Sequence, residues 1–131
     1  MARRSHKVLA PRRGEVYLVL LDPTVGHEIR KTRPAAVVQA DPLNRGGATT
    51  IVAPLTSNTS PPLHLTRVFV PRGKAGLAVD SVVLTRQLRA VDVARLVRRL
   101  GVLTSATMHR VDRALRLTLD LASTRPASRR V

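Results

Sequence analysis

Apolar positions come first in short runs cut by turn residues and later in longer stripes at helical spacing. Residues 14–21 put Val16, Leu18 and Leu20 on one alternating face and Tyr17, Val19 and Leu21 on the other. A strand apolar on both faces is expected to be covered on both sides. Asp22-Pro23 ends it, and a charged loop leads to a second strand over 35–40. Pro34 opens that strand, where no ladder donor is needed, and biases Arg33 towards extended backbone. Residues 41–47 carry Pro42, Asn44, Gly46 and Gly47 and read as a turn-rich connection. A third strand spans 49–55 with Thr56 at its end, and 57–62 is a polar loop. Residues 64–70 alternate weakly, as a strand with one wet face. Residues 72–76 form a basic turn. The Val-rich run 80–84 is a further strand leading into Thr85-Arg86-Gln87-Leu88-Arg89.

Helices are expected only late in the chain. Asp92 is a good N-cap for a helix over 93–100, with Val93, Leu96, Val97 and Leu100 on one face and Gly101 as its stop. A second helix begins near Thr104 or Ser105, with the stripe Met108, Val111, Leu115 and Leu119. That stripe reads as core or dimer packing. Strands first and helices last predict an α+β, mostly-β domain: a small barrel with appended C-terminal helices.

Composition narrows the classes. A chain of 131 residues is expected to form one domain with a core of Leu, Val and Ala, since only Tyr17 and Phe69 are aromatic. The absence of cysteine excludes a disulfide scaffold, thiolate metal sites and thiol catalysis, and fits a reducing cytoplasm. No apolar run approaches the roughly 18 residues of a membrane span, and no secretory h-region is expected at the N-terminus. The net charge is +15. Arg3, Arg4, Lys7, Arg12 and Arg13 near one end and Arg125, Arg129 and Arg130 near the other carry eight of those charges. Residues 1–12 and 122–131 therefore read as basic tails, the first of them disordered, flanking a domain over 13–121. That domain is still basic, so a nucleic acid or an acidic protein is the expected partner.

The chemistry concentrates in the loop between the first two strands, which holds His27, Glu28, Arg30, Lys31 and Arg33. Titratable groups on a loop between strands are a common layout for a site on a rigid scaffold. If the second and third strands pair antiparallel, Arg33 and Thr56 meet at one end of the sheet. A guanidinium beside a hydroxyl, with an imidazole and a carboxylate in reach, suits phosphodiester cleavage by a ribose 2′-hydroxyl. The acids are too scattered to suggest a metal cluster, and no cofactor is expected. With so few aromatics, RNA contacts would rest on cations: Arg30, Lys31, Arg86 and Arg89 on phosphates. Ser57 and Asn58 suit base edges.

Several segments, in order, resemble one family. Arg13-Gly14-Glu15-Val16-Tyr17, Leu21-Asp22-Pro23-Thr24-Val25-Gly26-His27-Glu28 and Thr32-Arg33-Pro34-Ala35-Ala36-Val37-Val38 resemble the opening of MazF/PemK toxins. Ile51-Val52-Ala53-Pro54-Leu55-Thr56-Ser57-Asn58, Asp80-Ser81-Val82-Val83-Leu84 and Gln87-Leu88-Arg89-Ala90-Val91-Asp92 continue the likeness. Ala106-Thr107-Met108 and Val111-Asp112-Arg113-Ala114-Leu115 resemble the family's final helix. The resemblance implies an SH3-like barrel, a homodimer and a metal-independent endoribonuclease cutting single-stranded RNA at short sequences. It also implies an acidic antitoxin partner covering the RNA groove. Arg33 matches the family's catalytic arginine and Thr56 the threonine that holds the scissile phosphate. His27 matches a histidine of the PemK-like branch, and Glu28 a loop acid. Gln87 and Arg89 match its Gln-x-Arg segment.

One position departs from the pattern. PemK-like members carry an acid just before that Gln, where this chain has Arg86. A guanidinium stays protonated at neutral pH and cannot act as the base. Proton transfer then falls to His27 and Glu28, with Arg33 stabilising charge, or Arg33 itself takes an acid–base part. Two other readings use the same residues differently. One is a non-catalytic nucleic-acid-binding barrel, in which Thr56 and His27 would be idle. The other is a CcdB-like toxin acting on a protein, against which stands the lack of that group's Trp-Gly-Ile ending.

Overall fold

The computed structural model of the protein describes residues 10–21, 26–27, 31–62 and 64–122. Seven strands in that set form one antiparallel sheet: β1 (Glu15–Leu20), β2 (Thr32–Val37), β3 (Thr49–Thr56), β4 (Arg67–Val70), β5 (Ser81–Leu84), β6 (Arg89–Asp92) and β7 (Leu96–Val102). The order is β4-β5-β3-β2-β1-β7, and β6 pairs with β3 off that path. A short helix α1 (Asp41–Asn44) links β2 to β3, and a long helix α2 (Ser105–Leu119) closes the fold. The mostly-β expectation therefore holds. Pro11 is buried and the Arg12 amide donates to Glu15 Oε1 at 2.7 Å, so these two residues of the expected lead belong to the fold.

Alternation along the strands divides the apolar side chains into two cores. On one side of the sheet Val16, Ala36, Ala53, Leu55, Val68, Val70 and Val83 pack against Val111, Ala114 and Leu115 of α2. On the other, Tyr17, Val19, Leu21, Ala35, Val37, Val52, Val91 and Leu96 fill the inside of the curled sheet. The full covering expected for β1 is only partial: Val16 is buried, but Leu18 is half-buried and Leu20 is exposed. The curl is held across its open seam by side chains. Arg89 Nη1 donates to the Leu21 carbonyl at 2.9 Å, and Arg95 Nη1 to the Leu20 carbonyl at 3.1 Å.

The helix expected over 93–100 is not there. Asp92 caps only a 3-10 turn, Val93–Arg95, accepting from the Ala94 amide at 2.8 Å, and the chain then pairs with β1 as β7. The helical spacing is misleading because the β1–β7 register shifts twice, between Val16 and Tyr17 and between Leu18 and Val19. Each shift changes which side the strand's residues face. Leu96 thus enters the inner core, Leu100 packs towards the helix side and Val97 is exposed. Gly101 is not a helix stop. It allows the turn at Ala75 and Gly76 to lie against β7: a side chain at Gly101 would collide with the Ala75 backbone, and one at Gly76 with the Leu100 carbonyl.

Other boundaries move less. β2 begins at Thr32, so Pro34 lies within it, and the wet-faced strand shortens to β4. The connection 41–47 contains α1, whose Asn44 is buried. Asn44 Oδ1 accepts from Gln39 Nε2 at 2.8 Å and Thr50 Oγ1 at 2.7 Å, which satisfies it away from water. α2 starts where expected, with Thr104 Oγ1 accepting from the Thr107 amide at 3.2 Å. Asp120 ends it with a left-handed backbone, φ 55°. Val111 and Leu115 of its stripe are buried, Met108 is half-buried and Leu119 is exposed.

Candidate active site

β2 and β3 pair antiparallel, with Ala35 opposite Pro54, Ala36 opposite Ala53 and Val37 opposite Val52. That ladder ends at Ala35 and Pro54; Arg33 and Thr56 each lie two residues beyond it, at the same end of the two strands, Arg33 opposite Val19 and Thr56 opposite Val82. Side chains two apart share a face. Arg33 and Thr56 therefore lie on the face of Ala35, Val37 and Val52, at the end of the inner core. Arg33 is exposed. Thr56 is half-buried, and its Oγ1 accepts from the Asn58 amide at 3.1 Å. That bond occupies a lone pair and leaves the hydroxyl proton to donate outward.

The remaining expected site residues spread around this rim. His27 is exposed in a turn with Gly26, while Glu28 and Arg30 lie outside the described residues. Lys31 is exposed, with a left-handed backbone at φ 66°, and its carbonyl accepts from the Leu21 amide at 2.9 Å, closing the loop onto β1. Ser57 is exposed. Asn58 is largely engaged in its own loop: Oδ1 accepts from the Ser60 amide at 3.2 Å and its carbonyl from Arg67 Nη2 at 3.0 Å. Arg86 is exposed and Gln87 half-buried in a 3-10 turn, Thr85–Gln87. Thr85 Oγ1 pins that turn by donating to the Thr66 carbonyl at 2.8 Å. Arg89 is half-buried on β6 opposite Val52, and its bond to the Leu21 carbonyl gives it a role in holding the curl.

Arg67 and His64 were not singled out by sequence, although both stand beside the Thr85–Gln87 turn. Weak alternation in 64–70 marked a wet face but gave no reason to choose these two on it. Away from the rim, the buried Tyr17 hydroxyl is pushed up to about 12, first by burial and then by its hydrogen bond to Glu15 and that carboxylate's charge. Glu15 is itself held by Arg99 Nε at 2.8 Å. Among the described residues no three acidic or histidine side chains come together in a way that could hold a metal ion. No helix among them is long and apolar enough to cross a membrane.

Residues 12–119 match the family described as PemK-like, MazF-like toxin of type II toxin-antitoxin system. The chain belongs to this family. Solved structures agree with it. An endoribonuclease from Mycobacterial species is 26% identical, with a TM-score of 0.67, over 87% of this chain and 95% of that one. A structure of an endoribonuclease with its cognate antitoxin, also from Mycobacterial species, matches at 26% identity and a TM-score of 0.68, over 87% of this chain and 99% of that one. MazF from Deinococcus radiodurans shares the fold at 24% identity, with a TM-score of 0.74, over 86% of this chain and 99% of that one. In this PemK/MazF-like toxin the matched span includes Arg33, Thr56 and every strand and helix described above.

Proposed function

We propose that this toxin is a sequence-specific, metal-independent endoribonuclease that cuts single-stranded RNA, mRNA in particular, and is neutralised by an acidic antitoxin. The observation that supports the reading most is the β2–β3 pairing, beyond whose end at Ala35 and Pro54 an exposed guanidinium, Arg33, and a threonine hydroxyl, Thr56, lie at the same end of the two strands. Arg33 stabilises charge on the phosphate and Thr56 donates to a non-bridging oxygen. His27 and Glu28 share proton transfer. The base takes the 2′-hydroxyl proton as its oxygen attacks phosphorus. The bond to the 5′-oxygen breaks, and the acid protonates that leaving oxygen. The products are a 2′,3′-cyclic phosphate and a 5′-hydroxyl.

Phosphate contacts fall to Arg30, Lys31, Arg86 and Arg89, with Ser57, Asn58 and Gln87 facing the bases. The catalytic unit spans residues 13–121, acts as a homodimer and works in the cytoplasm. An acidic antitoxin segment competes for the same cations, consistent with the basic charge of the domain.

The test is incubation of purified protein with a defined single-stranded RNA in EDTA, followed by end analysis. Cleavage leaving cyclic phosphate is expected. A strict magnesium requirement, or 3′-hydroxyl ends, would contradict the mechanism.

A further inference from the structure

β1 ends in a peptide group that is held from both sides. The β1–β7 ladder stops at Val19 and Leu96, so the register carries β7 no further along β1. The Leu20 carbonyl is met instead by a side chain, with Arg95 Nη1 donating to it at 3.1 Å. In a trans peptide the N–H of the next residue points the opposite way. That N–H, on Leu21, donates to the Lys31 carbonyl at 2.9 Å. One chain of hydrogen bonds thus runs from Arg95 through the Leu20–Leu21 peptide to Lys31, and each bond in such a chain polarises the next. Its far end lies two residues before Arg33. Lys31 has φ 66°, a left-handed backbone that is uncommon for a residue with a side chain and is sustained by its surroundings. The near end is well fixed. Arg95 closes the 3-10 turn Val93–Arg95, which Asp92 caps through the Ala94 amide at 2.8 Å, and the next residue, Leu96, is buried in the inner core. Arg89 secures the following carbonyl, that of Leu21, at 2.9 Å.

We infer that Arg95 is a positioning residue for RNA cleavage, acting through the Leu20–Leu21 peptide and Lys31 on the stretch of β2 that carries Arg33. The strand pairing agrees with this route. Leu20 is opposite Thr32, and Val19 stands between Leu96 on one side and Arg33 on the other, so a single strand separates the two arginines. A guanidinium that stabilises charge in the transition state works only at the right distance, and a shift of about 1 Å can cost up to ~10²-fold in rate. The role of Arg95 needs one donor aimed at one carbonyl. It differs in this from the role of Arg33, which uses the planar fork. Lysine should therefore serve at position 95. The inference rests on the ribonuclease reading.

The experiment compares the full-length protein with its Arg95→Met and Arg95→Lys variants in three measurements. Single-turnover cleavage of a defined single-stranded RNA at saturating protein should slow roughly ten-fold in Arg95→Met and stay close to the unaltered rate in Arg95→Lys. Binding of an uncleavable 2′-O-methyl RNA, followed by fluorescence anisotropy against salt, should keep its slope in both variants. Amide hydrogen exchange at Leu21, read by NMR, should quicken roughly ten-fold in Arg95→Met and not in Arg95→Lys. Unchanged cleavage by Arg95→Met overturns the inference. So does slowed cleavage with an unchanged Leu21 amide, because the route would then be wrong. A salt slope shallower by about 0.7 in Arg95→Met, with cleavage intact at saturation, makes Arg95 a phosphate contact and overturns positioning as well. Should Arg95→Met fail to fold, Arg95→Lys decides: a folded lysine variant that cleaves ten-fold more slowly overturns the single-donor role, and one that cleaves normally with Leu21 protected supports it. An unaltered protein that leaves RNA uncut sinks the ribonuclease reading itself, whereas one that cuts no faster than Arg95→Met sinks only the role of Arg95.

Discussion

The two faces of the sheet are built from the same few apolar residue types but end differently. The helix-side core is covered along its length by α2, and Leu55, Val83 and Val111 are almost wholly excluded from water. The inner core is equally dry at Val19, Val37 and Val52, yet one end opens onto a rim carrying Arg33, Thr56 and Arg89. One face spends its side chains on packing. The other packs just enough to hold polar groups at fixed places along its edge. A rim set on paired strands places a guanidinium and a hydroxyl more rigidly than a loop would.

Substitutions at the rim should separate activity from stability most sharply. Arg33→Ala is expected to lower RNA cleavage roughly 10²- to 10³-fold, while the melting temperature stays within about 3 °C. Arg33→Lys should recover only part of the rate, because lysine lacks the planar fork. Full recovery would show that charge alone suffices.

Neighbouring residues of β3 give the complementary test. Leu55→Ala should destabilise the fold by about 2–5 kcal/mol in urea titration. Thr56→Ala should alter stability by less than about 1 kcal/mol and still impair cleavage. A Thr56→Ala protein as unstable as Leu55→Ala would erase the contrast between the faces.

The inner core also has a pH signature, through Tyr17. Below pH 10 its hydroxyl is protonated in folded and unfolded chains alike. Between 10 and about 12 only the unfolded chain ionises, so stability falls as pH rises through that window. The loss is at most about 3 kcal/mol. Tyr17→Phe should remove that part of the slope in urea midpoints taken across the window. Parallel slopes for the two proteins would show that Tyr17 is not held protonated by burial.

The smallest effect is expected on the helix side. Arg13 Nη2 meets Asp112 Oδ1 at 2.7 Å, with both side chains about 30% exposed. Asp112→Ala should cost less than about 1 kcal/mol, and less again in high salt. Arg13 keeps its hold on the fold meanwhile, through its amide on Asp41 and its Nε on the Val38 carbonyl.

Much of this protein was legible in its sequence. Short apolar runs bounded by turn residues announced β1, β3 and β5, Thr104 and the Met108–Val111–Leu115 spacing announced α2, and the expected ends of the second and third strands put Arg33 and Thr56 forward as site candidates. These signals are local, because they depend on which way successive side chains point. What the sequence could not decide was whatever depends on a distant partner. Leu96–Val102 became a strand because β1 offered an edge, and its two register shifts disguised it as a helix. Gly101 was required by the backbone of residues 75–76, not by a helix end. Arg89 found the Leu21 carbonyl across the inner core, and Arg67 met the Asn58 carbonyl. Contacts between residues far apart in the chain exist only once the sheet has curled, so local periodicity carries no trace of them.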